Sequence, residues 1–120
     1  SDFETLNRLK ACEKNVVRPL IPELFDWLQD INWPISSDLS DILLNFDDEL
    51  IPHIRKVLQS DDGTWKYSIL IKLVCKMSIS NRVKLIPDLK KLSASKESYD
   101  LDEGLDELSM EILESINFKS

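Results

Sequence analysis

The 120-residue sequence predicts an all-α protein: a short α-solenoid made of a lead-in helix followed by three antiparallel helical hairpins. Three observations carry that reading. The tripeptide Leu-Ile-Pro occurs three times, ending at Pro22, Pro52 and Pro87, in a chain with only five prolines. Apolar residues recur at helical spacing along nearly the whole chain, while β-type alternation is scarce. Glycine is almost absent, with only Gly63 and Gly104. That argues against β-hairpin turns, phosphate loops and dinucleotide crossovers, which need positive φ or close backbone approach.

Residues 2–14 place Phe3, Leu6, Leu9 and Cys12 on one stripe and read as the lead-in helix. The three Leu-Ile-Pro segments then align as LIPELFDWLQD, LIPHIRKVLQS and LIPDLKKLSAS. Leu24, Ile54 and Leu89 coincide, as do Trp27, Val57 and Leu92, so each segment has one apolar face. Phe25 aligns with Arg55 and Lys90 at a position that reads as outward, and packing under the lead-in helix is the expected fate of Phe25. Proline is tolerated in a first helical turn because its missing N–H has no intrahelical partner there. Pro22, Pro52 and Pro87 are therefore read as helix-start residues.

Each first helix needs a second. Asn32-Trp33-Pro34 is a turn, with Ser36 or Ser37 as the cap of a helix carrying Leu39, Ile42, Leu43 and Phe46. Ser60–Thr64 is a turn before a helix over 65–77 that carries Leu70, Leu73, Val74 and Met77. The polar run 93–99 precedes a final amphipathic helix with Leu101, Leu105, Leu108, Ile112 and Ile116. The hairpins span about 20–46, 50–77 and 85–117 of a single domain over 1–120, and the prolines are spaced by 30 and then 35 residues, within the range of stacked helical repeats. The expected core contains Leu24, Leu28, Leu39, Leu43, Phe46, Ile54, Leu58, Leu70, Val74, Leu89 and Ile112.

The segment LIPHIRKVLQSDDGTWKYSILIKLV resembles a HEAT repeat, with an apolar-proline start, an acidic turn at Asp61 and Asp62, and a basic residue, Lys66, early in the second helix. Lys66 falls in the apolar stripe of its own helix, so its ammonium needs an acid or a route to water. Asp61 and Asp62 are the expected partners. The whole chain, with WLQDINWP at 27–34 as its sharpest stretch, is similar to a small family of uncharacterised bacterial HEAT-like single-domain proteins. That resemblance implies the fold and a bacterial, cytoplasmic setting, and carries over no catalytic residues.

The net charge of −7 opposes general attraction to nucleic acid or anionic membrane. No apolar run approaches the ~18 residues a membrane helix needs, and no basic-then-apolar leader pattern opens the sequence. Cys12 and Cys75 fit no metal or redox spacing and read as buried thiols. His53 is the only histidine and reads as a rim residue beside a proline, not as a catalytic base. Asp100–Asp106 hints at a calcium loop, but its glycine is one place early and its leucines read as core; an acid-rich helix N-terminus explains it better. No catalytic residue, metal or cofactor is expected.

Charge is segregated. Residues 66–96 carry eight Lys/Arg against Asp88 alone, residues 97–114 carry eight acids and no base, and residues 20–49 are acidic. Neighbouring helices of opposite charge could neutralise each other. Alternatively, Asp26, Asp30, Asp38, Asp41, Asp47, Asp48 and Glu49 form a surface that attracts a basic protein. Trp27, Trp33 and Trp65 cluster near the turns and read as plugs between stacked hairpins. The leading expectation is a non-catalytic protein-binding module, one form of which is an immunity- or antitoxin-like inhibitor of a cationic toxin. The alternatives are a HEAT-like enzyme, either one acting on nucleic acid, for which only 66–96 offers a basic face, or one of another chemistry, and a subunit that pairs with itself. The expected state is a monomer or weak homo-oligomer.

Overall fold

Proline marks where three of the helices begin. A computed structural model describes residues 2–11 and 13–119, and Cys12, expected in the core, lies outside the described residues. Pro22, Pro52 and Pro87 each occupy the first turn of a helix, in α3 (Ile21–Trp27), α5 (Ile51–Leu58) and α8 (Ile86–Ser93). Leu20, Leu50 and Leu85 precede them, and none of these starts has a side-chain cap. None is needed at the proline, which has no N–H to satisfy.

The remaining helices are α1 (Asp2–Ala11), α2 (Lys14–Val17), α4 (Ser36–Leu44), α6 (Gly63–Lys72), α7 (Ile79–Lys84), α9 (Ser98–Leu101) and α10 (Leu105–Lys119), joined by turns and short 3-10 segments. The described residues form no strand, and none of their helices is long and apolar enough to cross a membrane. One apolar cluster runs from Leu9 to Ile116 and includes every residue of the expected core. Within it α3 packs on α4, α5 on α6 and, most extensively, α8 on α10; α1 packs on α4.

A contact between successive Leu-Ile-Pro helices recurs. The third residue after Pro22, Phe25, lies against the first after Pro52, His53, with ring centroids 5.6 Å apart. The third residue after Pro52, Arg55, pairs with the first after Pro87, Asp88, its Nε 3.2 Å from both carboxylate oxygens. The chemistry changes from ring contact to ion pair while the register is kept. Phe25 and Arg55 are therefore not outward positions: Phe25 is buried and Arg55 half-buried. The aromatic neighbour of Phe25 is His53, and Phe25 shares the apolar cluster with Leu9 and Val17 of the lead-in segment.

Other departures are local. The lead-in segment stops at Ala11 and restarts at Lys14, and Phe3 is exposed while Leu6 and Leu9 are buried. Helix α4 is preceded by Ile35, with no side-chain cap; Ser36 instead donates from Oγ to the Ile31 carbonyl at 2.9 Å. Helix α6 begins at Gly63 and ends at Lys72, followed by a 3-10 turn at Val74–Lys76. Helix α7, between the second and third predicted hairpins, escapes the sequence reading because it has six residues and no apolar stripe; Ser78 caps it by accepting from Asn81 N–H. The final helix does not start at Leu101, which is exposed, but at Leu105, after Gly104 turns the chain at φ 65°. Cys75 is at the surface instead of buried, and partial desolvation pushes its thiol pKa up.

The start of α6 gives a first test. Asp62 Oδ1 accepts from Trp65 N–H at 3.0 Å and from the Thr64 hydroxyl at 2.9 Å. Asp62→Ala removes this cap and is expected to cost about 1 kcal/mol, read by urea unfolding. Asp61→Ala, at an exposed neighbour, should cost almost nothing; equal costs for the two would contradict the assignment of the cap to Asp62.

Candidate functional site

A cleft of about 760 Å³ lies between the C-terminal end of α5, helix α8 and the segment 94–100. Its floor is an ion pair. Lys66 Nζ donates to Asp100 Oδ1 at 2.8 Å, with both side chains buried. Asp100 Oδ2 accepts from the Ser95 hydroxyl at 2.6 Å, and the Lys66 ammonium lies 4.9 Å from the Tyr99 ring centroid. The Tyr99 hydroxyl is pushed above its ordinary pKa by desolvation first, then by Glu97, Asp100 and Asp61.

The partner of Lys66 is therefore Asp100 and not Asp61 or Asp62. Asp62 is occupied by the cap, Asp61 is exposed, and the Lys66 side chain enters the interface with 94–101, where Asp100 arrives. This also accounts for one acid of the supposed calcium loop: Asp100 is taken by a lysine and a serine. Among the described residues no three His, Cys, Asp or Glu side chains converge as a metal set requires.

At the wall of the cleft, Arg55 is bound to Asp88 and donates to the Lys84 carbonyl at 3.1 Å. Lys66, buried, and Arg55, half-buried, thus each hold an aspartate from the segment 86–101. Chemically the cleft is a clamp joining α5 and α6 to α8 and α9. His53 lies elsewhere, against Phe25, where burial and then Lys56 hold its pKa below the ordinary histidine value.

The seven acids of the expected acidic surface divide in two. Asp47, at φ 53°, accepts from the Asn81 amide; Asp48 lies 3.6 Å from Lys84; Glu49 pairs with Arg18, whose hydrogen bond lowers its pKa. These three are tied to neighbouring segments. Asp26, Asp30, Asp38 and Asp41 are exposed, and none has an ion-pair partner among the described residues. The Asp30 carboxylate accepts from the Asn32 N–H at 2.9 Å. Residues 19–50 contain eight acids and no Lys, Arg or His.

The tryptophans are half-buried beside these acids and at the next turn. Trp65 Nε1 donates to the Phe25 carbonyl at 2.9 Å, bridging α6 to α3. Trp27 and Trp33 meet edge to face, with centroids 5.3 Å apart, closing the turn between α3 and α4.

Sequence reasoning missed Asp100 and Ser95. Asp100 carried one usable signal: it is an aspartate among the leucines of an amphipathic segment, where a buried carboxylate implies a buried cation.

The structure is all-α, with one apolar core, a polar clamp that joins α5 and α6 to α8 and α9, and four exposed aspartates on and between α3 and α4 without an ion-pair partner among the described residues. The chain belongs to the family Domain of unknown function (DUF5071), which it matches over residues 1–113. No curated protein matches it.

Proposed function

We propose that the protein is a non-catalytic binding module, a short HEAT-like α-solenoid whose α3–α4 surface takes a basic protein. The solenoid reading is supported by the three proline-started helices and by the recurring Phe25–His53 and Arg55–Asp88 contacts. The binding reading is carried by one observation: Asp26, Asp30, Asp38 and Asp41 stand exposed without an ion-pair partner among the described residues, in a stretch of sequence with no Lys, Arg or His, although Lys72 donates to the Ser37 hydroxyl nearby. Exposed like charges that repel within a fold are relieved by an opposite surface, which also speeds encounter. Trp27 and Trp33 provide the aromatic component typical of protein interfaces. An inhibitor of a cationic toxin or nuclease is one concrete form of this function.

The test is capture of a partner from host extract by the purified protein, followed by elution with salt. Replacing Asp26, Asp30, Asp38 and Asp41 together by Asn should weaken capture about tenfold or more, whereas Asp47→Asn with Asp48→Asn should change it little. Equal loss in both variants, or a partner held unchanged at high salt, would reject the α3–α4 surface. A gel shift on duplex DNA at low salt separates this reading from the nucleic-acid enzyme: a shift mapped to Lys90, Lys91 and Lys96 would favour the latter.

A further inference from the structure

We propose that a second copy of this chain continues the stack, the α8 end of one copy docking on the α3 end of the next through Lys90 and Glu23. This rests on the stacked-repeat part of the reading above and not on the basic partner.

The register of the recurring contact dictates the two residues. In each junction the third residue after one proline meets the first residue after the next proline: Phe25 with His53, then Arg55 with Asp88. Continuing the series, the third residue after Pro87 is Lys90, which meets no further proline-started helix among the described residues. The first residue after Pro22 is Glu23, which likewise meets none there. Both are exposed, and neither has an ion-pair partner among the described residues. Their signs are those of the existing second junction: a cation at the third position and a carboxylate at the first.

The apolar residue ahead of each proline pair differs at the α3 end. Leu50 and Leu85 are 0% exposed, whereas Leu20 is 37% exposed, with Val16 one turn earlier at 58%. Among the described residues no proline-started helix covers Leu20. An incoming copy would therefore cover an apolar pair as well as place Lys90 against Glu23. The contact is head-to-tail, so it generates open chains instead of closed dimers. One exposed ion pair and a small apolar pair make a weak contact, with a dissociation constant on the order of 10⁻⁴ M. Copies with a charge of −7 also repel one another. Salt screens both effects, so charge exchange, not salt, is the decisive readout.

The experiment is sedimentation velocity on the pure full chain up to about 1 mM, roughly tenfold above the expected dissociation constant. The wild type should show a concentration-dependent rise in weight-average mass without a plateau at the dimer. Glu23→Lys and Lys90→Glu should each weaken association about tenfold, by placing like charges in contact. An equimolar mixture of the two variants should recover it, because the α8 end of a K90E copy then meets the α3 end of an E23K copy with opposite charges restored. Leu20→Asp should also weaken it, and circular dichroism should show all variants folded. A strictly monomeric wild type, a closed dimer, or single variants that assemble as well as the wild type would each overturn the proposal. None of these outcomes depends on capture of a basic partner.

Discussion

Replacing Asp100 by leucine is expected to cost about 3–5 kcal/mol of folding stability. Replacing Lys66 by methionine in the same chain should return most of that loss. Lys66 and Asp100 are 2% and 4% exposed. Removing the carboxylate leaves a buried ammonium without its charged partner, beside the face of Tyr99. The attraction between the charges offsets their desolvation only while both are present, so the pair is worth little compared with an apolar pair of similar shape, yet much compared with half of itself. Lys66→Met alone should cost less than Asp100→Leu. The carboxylate keeps the Ser95 hydroxyl at 2.6 Å, and methionine preserves the packing of the lysine stem. A domain of this size has about 5–15 kcal/mol in total, so the single change at Asp100 threatens folding itself. Urea unfolding of the four proteins, wild type included, decides the matter through the coupling energy. A double variant as unstable as Asp100→Leu would mean that the loss comes from packing and not from the unpaired charge.

The pair also shows where sequence reasoning succeeds and where it stops. Lys66 is legible as a lysine in need of an acid, because it interrupts an apolar stripe. Its partner is not, because Asp100 is 34 positions away and only the packing of 94–101 on α6 brings the two together. The nearby aspartates satisfy the same electrostatic requirement on paper, but Asp62 is already committed to the helix start, a more local use of the same side chain. Helix starts at prolines and the core face of each helix are legible because both depend on local chemistry and on a period of 3.6 residues. The inter-repeat position is misread for a related reason: Phe25, Arg55 and Lys90 share no hydropathy, so alignment places them outside. A junction keeps its register and lets chemistry vary, a ring contact in one place and an ion pair in the next. The acidic surface is legible as composition only. Which acids are tied down depends on Arg18, Asn81 and Lys84 coming from other segments.

Gly63→Ala should destabilise the protein by about 2 kcal/mol, although local propensity predicts the opposite. Gly63 is the first residue of α6, where alanine ordinarily gains about 0.5–1 kcal/mol over glycine by restricting the unfolded chain. Here a Cβ would overlap the Tyr99 carbonyl oxygen, sit 3.0 Å from its carbon and meet Glu103 Cγ at 3.1 Å. The nearest obstacle is backbone, so no rotamer change relieves it: either α6 or the 98–101 turn must move. Moving that turn displaces Asp100 from Lys66, which couples this substitution to the clamp. Gly104 is the control, because its requirement is conformational. It has φ 65° with nothing within 4 Å of an added Cβ, so Gly104→Ala should cost about 1 kcal/mol through backbone strain alone and leave the clamp in place. Thermal unfolding gives the stabilities, at roughly 4 °C per kcal/mol for a chain of this length. Amide exchange across 94–101 separates the mechanisms, since it should accelerate in Gly63→Ala and stay near wild type in Gly104→Ala. A Gly63→Ala protein that melts above the wild type would show that α6 and the Tyr99 turn do not approach as closely as described, and the buried pair between them would lose its structural basis.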